Sequence, residues 1–119
     1  MVERHFGFSR EQRIRTRAEF SAVFDRKQRS SAGPLLAFVV PNGKDLTRLG
    51  ISMSRRVGIA ARRNRVKRMV REAFRLQQHS WPRGWDIVVV PRPHDPMPLE
   101  RYCELLRTIM MRIAPKAEP

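Results

Sequence analysis

Apolar residues along the chain fall into three stripes at helical spacing and three short extended runs, and their order alone outlines a fold. Thr16-Arg17-Ala18-Glu19 has the form of a capping box, in which the threonine hydroxyl and the glutamate carboxylate each satisfy a free backbone N–H at a helix start. Phe20, Val23 and Phe24 follow at helical spacing, and the polar, Gly- and Pro-containing stretch from Lys27 to Pro34 predicts an end near Arg26. Leu35 to Val40 is an apolar run closed by Pro41-Asn42-Gly43. Beyond it Leu49, Ile51 and Met53 alternate with Gly50, Ser52 and Ser54. This predicts two antiparallel strands paired through the loop Pro41 to Thr47.

From Ile59 to Gln78 the period changes to that of a helix, with Val66, Met69, Val70, Ala73 and Phe74 on one stripe and Asn64, Arg65, Arg68, Arg71 and Arg75 opposite. Trp81-Pro82-Arg83-Gly84 ends it. Trp85 to Val90 then reads as a strand buried on both faces, hence central in a sheet. After a Pro-rich loop from Pro91 to Pro98, Leu99, Tyr102, Leu105, Leu106, Ile109, Met110 and Ile113 predict a last amphipathic helix that Pro115 stops.

With a further short strand near Arg29 to Ala32, the order is α-β-β-β-α-β-α. Helices packed on one sheet make an α+β fold, an α/β two-layer sandwich. At 119 residues the chain suits one domain spanning 1–119, with flexible ends at 1–12 and 114–119.

Charge narrows the function. The chain carries 25 basic and 11 acidic residues, a formal charge of +14, and only Lys27, Lys44, Lys67 and Lys116 of the basic ones are lysine. So large an excess repels itself unless a polyanion neutralises it, and arginine forks suit phosphates and base stacking. Cys103 is the only cysteine, so a disulfide within the chain and a Cys-rich zinc site are both excluded. His5, His79 and His94 share no ligand spacing, and the carboxylates are scattered without a paired motif, so no catalytic or metal-binding residue is assigned. No apolar run approaches the roughly 18 residues of a membrane span, and the expected location is the cytoplasm.

The charge is concentrated. Between Gly50 and Gln78 nine basic residues face Glu72 alone. A merely solvated helix gains from opposite charges at i, i+4, whereas this one repeats like charges and loses stability by it. Such a face points to nucleic acid, whose condensed counterions it could displace.

Here the residues become specific. The segment Leu49-Gly50-Ile51-Ser52-Met53-Ser54-Arg55-Arg56-Val57-Gly58, followed by Arg63-Asn64-Arg65-Val66-Lys67-Arg68 and Arg71-Glu72-Ala73-Phe74-Arg75, resembles the signature of the bacterial ribonuclease P protein family. The resemblance runs from about Arg13 to Leu106 and includes Phe20-Ser21-Ala22-Val23-Phe24 and Asp86-Ile87-Val88-Val89-Val90.

The resemblance implies a mixed four-stranded sheet with a left-handed β-α-β crossover through the Arg-rich helix, a ribosomal protein S5 domain 2-like fold. It implies partnership with the catalytic ribonuclease P RNA in a 1:1 complex, through Arg62, Arg63, Asn64, Arg65, Lys67, Arg68, Arg71 and Arg75. It also implies that the 5′ leader of precursor tRNA lies in a cleft carrying Phe20, Phe24, Phe38, Ser52, Ser54 and Arg56. Removal of the leader would then be catalysed by the RNA with Mg²⁺ bound mainly to it, the protein contributing binding and positioning. The competing reading is a structural rRNA-binding protein of ribosomal type. A helix-turn-helix regulator fits poorly, because the Arg-rich helix is flanked by strands.

Overall fold

The computed structural model describes residues 10–117, with the side chains of 114–117 outside that description. A short turn (Arg10–Gln12) leads into helix α1 (Arg17–Asp25), then strands β1 (Arg29–Ala32), β2 (Leu35–Pro41) and β3 (Arg48–Ile51). The turn Arg55–Val57, helix α2 (Ala60–Gln77), the turn Gln78–Ser80, strand β4 (Trp85–Pro91) and helix α3 (Leu99–Ala117) follow.

α1 begins as its sequence predicts. Thr16 is the N-cap, its hydroxyl accepts from the Glu19 N–H at 3.1 Å, and the Glu19 carboxylate accepts from the Thr16 N–H at 3.0 Å. The helix closes at Arg26.

The sheet order is β1-β2-β4-β3. β1 pairs antiparallel with β2, β2 antiparallel with β4, and β3 parallel with β4. The expected hairpin between β2 and β3 is therefore not formed. β4 lies between them, and β3 reaches it by a β-α-β connection through α2. The loop after Pro41 docks on β4 instead of folding β3 back on β2: the Asn42 N–H donates to the Gly84 carbonyl at 2.8 Å, and the Asn42 amide donates to Asp86 Oδ1 at 2.8 Å. The run Ile87 to Val89 is buried on both faces, as expected of a central strand.

The two faces of the sheet are covered unequally. Leu35, Ala37, Val39, Leu49, Ile87 and Val89 face α2 and α3, where they meet Val66, Val70, Ala73 and Phe74 of α2 and Tyr102, Leu106, Ile109 and Met110 of α3. Among the described residues the opposite face is covered by α1 and the segment that leads into it, with a core of Ile14, Val23, Val40 and Val88 and the partly buried rings of Phe20, Phe24 and Phe38 around it.

α3 continues through Pro115 to Ala117, against the expectation that proline would stop it. So close to a helix end a proline forfeits one backbone hydrogen bond without breaking a long ladder. Most of the chain ends expected to be flexible, 1–12 and 114–119, lies outside the described residues. Within the first of them Gln12 is buried and donates to the Gln78 side chain at 2.5 Å.

Candidate nucleic-acid interface

The basic face of α2 comes from helical spacing. Asn64, Arg68 and Arg71 stand in one row at i, i+4 and i+7 and are exposed, with Arg65 exposed beside them. Arg75 continues the row half-buried, its guanidinium gripping Glu72 through two bonds of 2.9 and 2.7 Å. Hydrogen bonding to Arg75 lowers the Glu72 pKa below its usual value. Arg62 is exposed and pairs at 3.4 Å with Asp95 of the Pro-rich loop, whereas Arg63 and Lys67 are half-buried on the flanks. The first turn of α2 holds no acidic residue. Arg62 and Arg63 thus add positive charge where the helix dipole already disfavours it, an arrangement that a bound polyanion would relieve.

On the other face α1 and β3 bound a groove of about 360 Å³, lined by Arg15, Arg17, Phe20, Phe24, Ile51 and Ser52. The rings of Phe20 and Phe24 lie 6.4 Å apart at 30°, and Phe24 meets Phe38 edge-on at 4.9 Å. Phe38 is thus the support beneath Phe24 and is not itself among the lining residues. Gly50 makes the arrangement possible: a Cβ there would stand 2.9 Å from both Ile14 Cβ and Phe20 Cε1, so only glycine lets the Phe20 ring lie against the strand.

Ser54 and Arg56 sit past the groove, on the turn Arg55–Val57. The Ser54 hydroxyl accepts from the Arg56 N–H at 3.1 Å, which makes it the cap of that turn, and Arg56 is exposed.

α1 is fixed to the sheet by an ion network. Arg48 donates to Asp86 through Nε at 2.8 Å and Nη2 at 2.7 Å, and through Nη1 to Glu19 at 2.8 Å. The backbone N–H groups of Thr16 and Arg15, then Arg48, hold the Glu19 pKa down to about 2. Hydrogen bonding to Asp86 is the main reason the Arg48 pKa rises above its usual value.

A second cavity of about 260 Å³ opens at the edge of β3, lined by Arg13, Ile14, Arg15, Phe20, Leu49, Gly50, Ile51 and Arg71. It joins the two surfaces, since Phe20 belongs to α1 and Arg71 to α2. Arg13, Arg15 and Arg17 lie outside the motifs that carried the sequence reading. Their signal was spacing: Arg13 and Arg15, two residues apart ahead of the capping box, suit an extended strip, Arg17 follows as the first residue of α1, and Arg13 forms a parallel bridge with Leu49.

The family model for ribonuclease P matches residues 8–114. The chain belongs to the ribonuclease P protein family. It is 42% identical over 87 residues to the ribonuclease P protein component of Desulfosudis oleivorans, covering 73% of this chain and 72% of that one. It is 41% identical over 85 residues to that of Thermotoga petrophila, covering 71% and 73%. The solved ribonuclease P protein of Thermotoga maritima superposes with a TM-score of 0.72 at 36% identity over 85% of this chain and 96% of that one. That of Staphylococcus aureus gives 0.70 at 31% over 87% and 94%. The protein is thus an RNA-binding component of ribonuclease P in tRNA processing, and the ribosomal-type alternative is not favoured. No helix among the described residues is long and apolar enough to cross a membrane.

Proposed function

We propose that the two surfaces divide the work of a ribonuclease P subunit, α2 binding the catalytic RNA and the α1–β3 groove binding the unpaired 5′ leader of precursor tRNA. The observation that carries this reading is the shared cavity at the β3 edge, where Phe20 and Arg71 line one space. RNA held on α2 and a strand lying on Phe20 and Phe24 would be neighbours. The rings offer π-faces to bases of any identity, and Arg15 and Arg17 at the rim suit the intervening phosphates.

Within this division Arg62, Arg63, Asn64, Arg65, Lys67, Arg68, Arg71 and Arg75 serve the RNA subunit. Phe20, Phe24 and Ser52 serve the leader directly, Phe38 supports Phe24, and Ser54 and Arg56 extend the surface beyond the groove. The phosphodiester is cleaved by the RNA subunit in a 1:1 complex in the cytoplasm, with Mg²⁺ held mainly by RNA. Among the described residues no group of three or more His, Cys, Asp or Glu could hold a metal ion. The Mg²⁺ supplies activation of water at the scissile phosphate. The protein screens repulsion between two RNAs and fixes the leader in line with the cleavage site.

Reconstitution tests this. Protein, catalytic RNA and precursor tRNA together should release the leader at moderate Mg²⁺ faster than the RNA alone, and the protein alone should be inert. Cleavage by RNA-free protein that disappears in a carboxylate variant would overturn the assignment.

A further inference from the structure

A third cavity, of about 290 Å³, lies at the other end of the same strip and has no part in the division above. It is lined by Gln12, Asp45, Thr47, Gln78, His79 and Arg83, with Leu46. Its position continues the track. Gln12 directly precedes Arg13, and Asp45 to Thr47 lead into β3. Gln78, the C-cap that closes α2, lies seven residues beyond Arg71 and thus about 10 Å further along the helix axis. That distance corresponds to about three stacked nucleotides, fewer if the strand is extended.

The chemistry changes along the track in a definite order. The groove at Phe20 and Phe24 is aromatic, and the cavity at the β3 edge brings together Arg13, Arg15 and Arg71 without a carboxylate. The third cavity mixes donors with an acceptor: two side-chain amides, an imidazole and a guanidinium stand with the Asp45 carboxylate. A phosphate would be repelled by Asp45. The edge of an unpaired base, which presents donors and acceptors together, matches such a lining.

We propose that this third cavity is a base pocket for an upstream nucleotide of the precursor tRNA leader, reached after the strand crosses the arginines at the β3 edge. The inference rests on the leader reading of the α1–β3 groove. Asp45, His79 and Arg83 are exposed and so placed to meet a ligand. Gln12 and Gln78 are already joined to each other and form the rigid floor.

The test uses the full protein, the catalytic RNA and precursor tRNAs whose leaders are lengthened one nucleotide at a time. Wild-type affinity should rise in two steps, first as the leader covers the aromatic groove and again as it reaches the third cavity. Arg83→Ala should remove only the second step, about a tenfold loss for long leaders and none for short ones. Asp45→Asn, which keeps the shape of the side chain, should lower the same step. Thermal denaturation checks that each variant folds. Unchanged affinity of both variants for long leaders overturns the base pocket, as does an equal loss with leaderless tRNA or with the RNA subunit alone. If Phe20→Ala leaves every leader bound as before, the underlying leader reading falls with it. If Phe20→Ala weakens all leaders while Arg83→Ala weakens none, the pocket alone is wrong.

Discussion

The two faces of the sheet solve different problems. Toward α2 and α3, fully buried residues such as Phe74, Tyr102 and Ile109 interlock, and burial of that kind supplies stability. Toward α1, a nine-residue helix covers a core of four buried residues and leaves three phenylalanines partly open. What area does not provide there, polar geometry does: the capping box, the Arg48 bridge to Glu19 and Asp86, and the close approach that Gly50 permits. A thinly covered face keeps aromatic surface available, and a heavily covered one holds the frame rigid beneath it.

The largest effect expected from breaking this contrast is on the thick face. Phe74→Ala removes a fully buried ring and should destabilise the fold by about 3–5 kcal/mol. Thermal denaturation should show the loss, and RNA-subunit and leader binding should fail together on warming. The corresponding change on the thin face, Phe20→Ala, should leave most of the stability intact. It should weaken precursor tRNA binding by about 1–3 kcal/mol, roughly 5- to 150-fold, with leaderless tRNA unaffected. A Phe20→Ala protein that melts like Phe74→Ala would show that the ring is core and erase the contrast.

The contrast also shows what the sequence could reveal. Local rules worked where one segment determines its own structure: the Thr16 capping box, the stripe Val66–Val70–Ala73–Phe74 and the doubly buried run before Pro91 all stand as read. Pairing across the sheet was less legible. Pro41-Asn42-Gly43 looks like a hairpin turn, yet the doubly buried run from Ile87 to Val89 already required two neighbours, and β2 and β3 are those neighbours. The motif residues of α2 were legible because a resemblance named them. Arg13, Arg15 and Arg17 were not, because their importance depends on where β3's edge ends up. Ser54 also caps the turn it begins, its hydroxyl accepting from the Arg56 N–H, a local role that the resemblance did not name.

A smaller effect separates the two surfaces by salt. Each phosphate neutralised contributes about −0.7 to −0.9 to the slope of log affinity against log salt. Replacing the exposed Arg65 and Arg68 together by Ala should flatten the slope for the RNA subunit by about 1 to 2 units, while the gain in affinity conferred by the leader stays the same. An unchanged slope would place the RNA subunit on a different face.

The smallest effect concerns how the thin face is held. Glu19 has its pKa lowered from 4.5 to about 2, first by the Thr16 and Arg15 N–H groups and then by Arg48. A carboxylate with a depressed folded-state pKa contributes stability above its unfolded value, and loses it as pH falls through the folded one. The contribution should therefore be complete above about pH 5 and disappear between there and about pH 2. Glu19 is a third exposed, so solvent screening should reduce it to about 1 kcal/mol. Glu19→Gln retains an oxygen for the Thr16 N–H but gives up the charge facing Arg48. Its melting temperature should lie below that of the wild type at neutral pH and converge with it toward pH 2. Because α1 carries the two rings, the variant should also bind leader-bearing tRNA somewhat more weakly at neutral pH with RNA-subunit affinity unchanged. Parallel melting curves across the whole acid range would mean that α1 is held by packing alone, and that the two faces differ less than their polar contacts suggest.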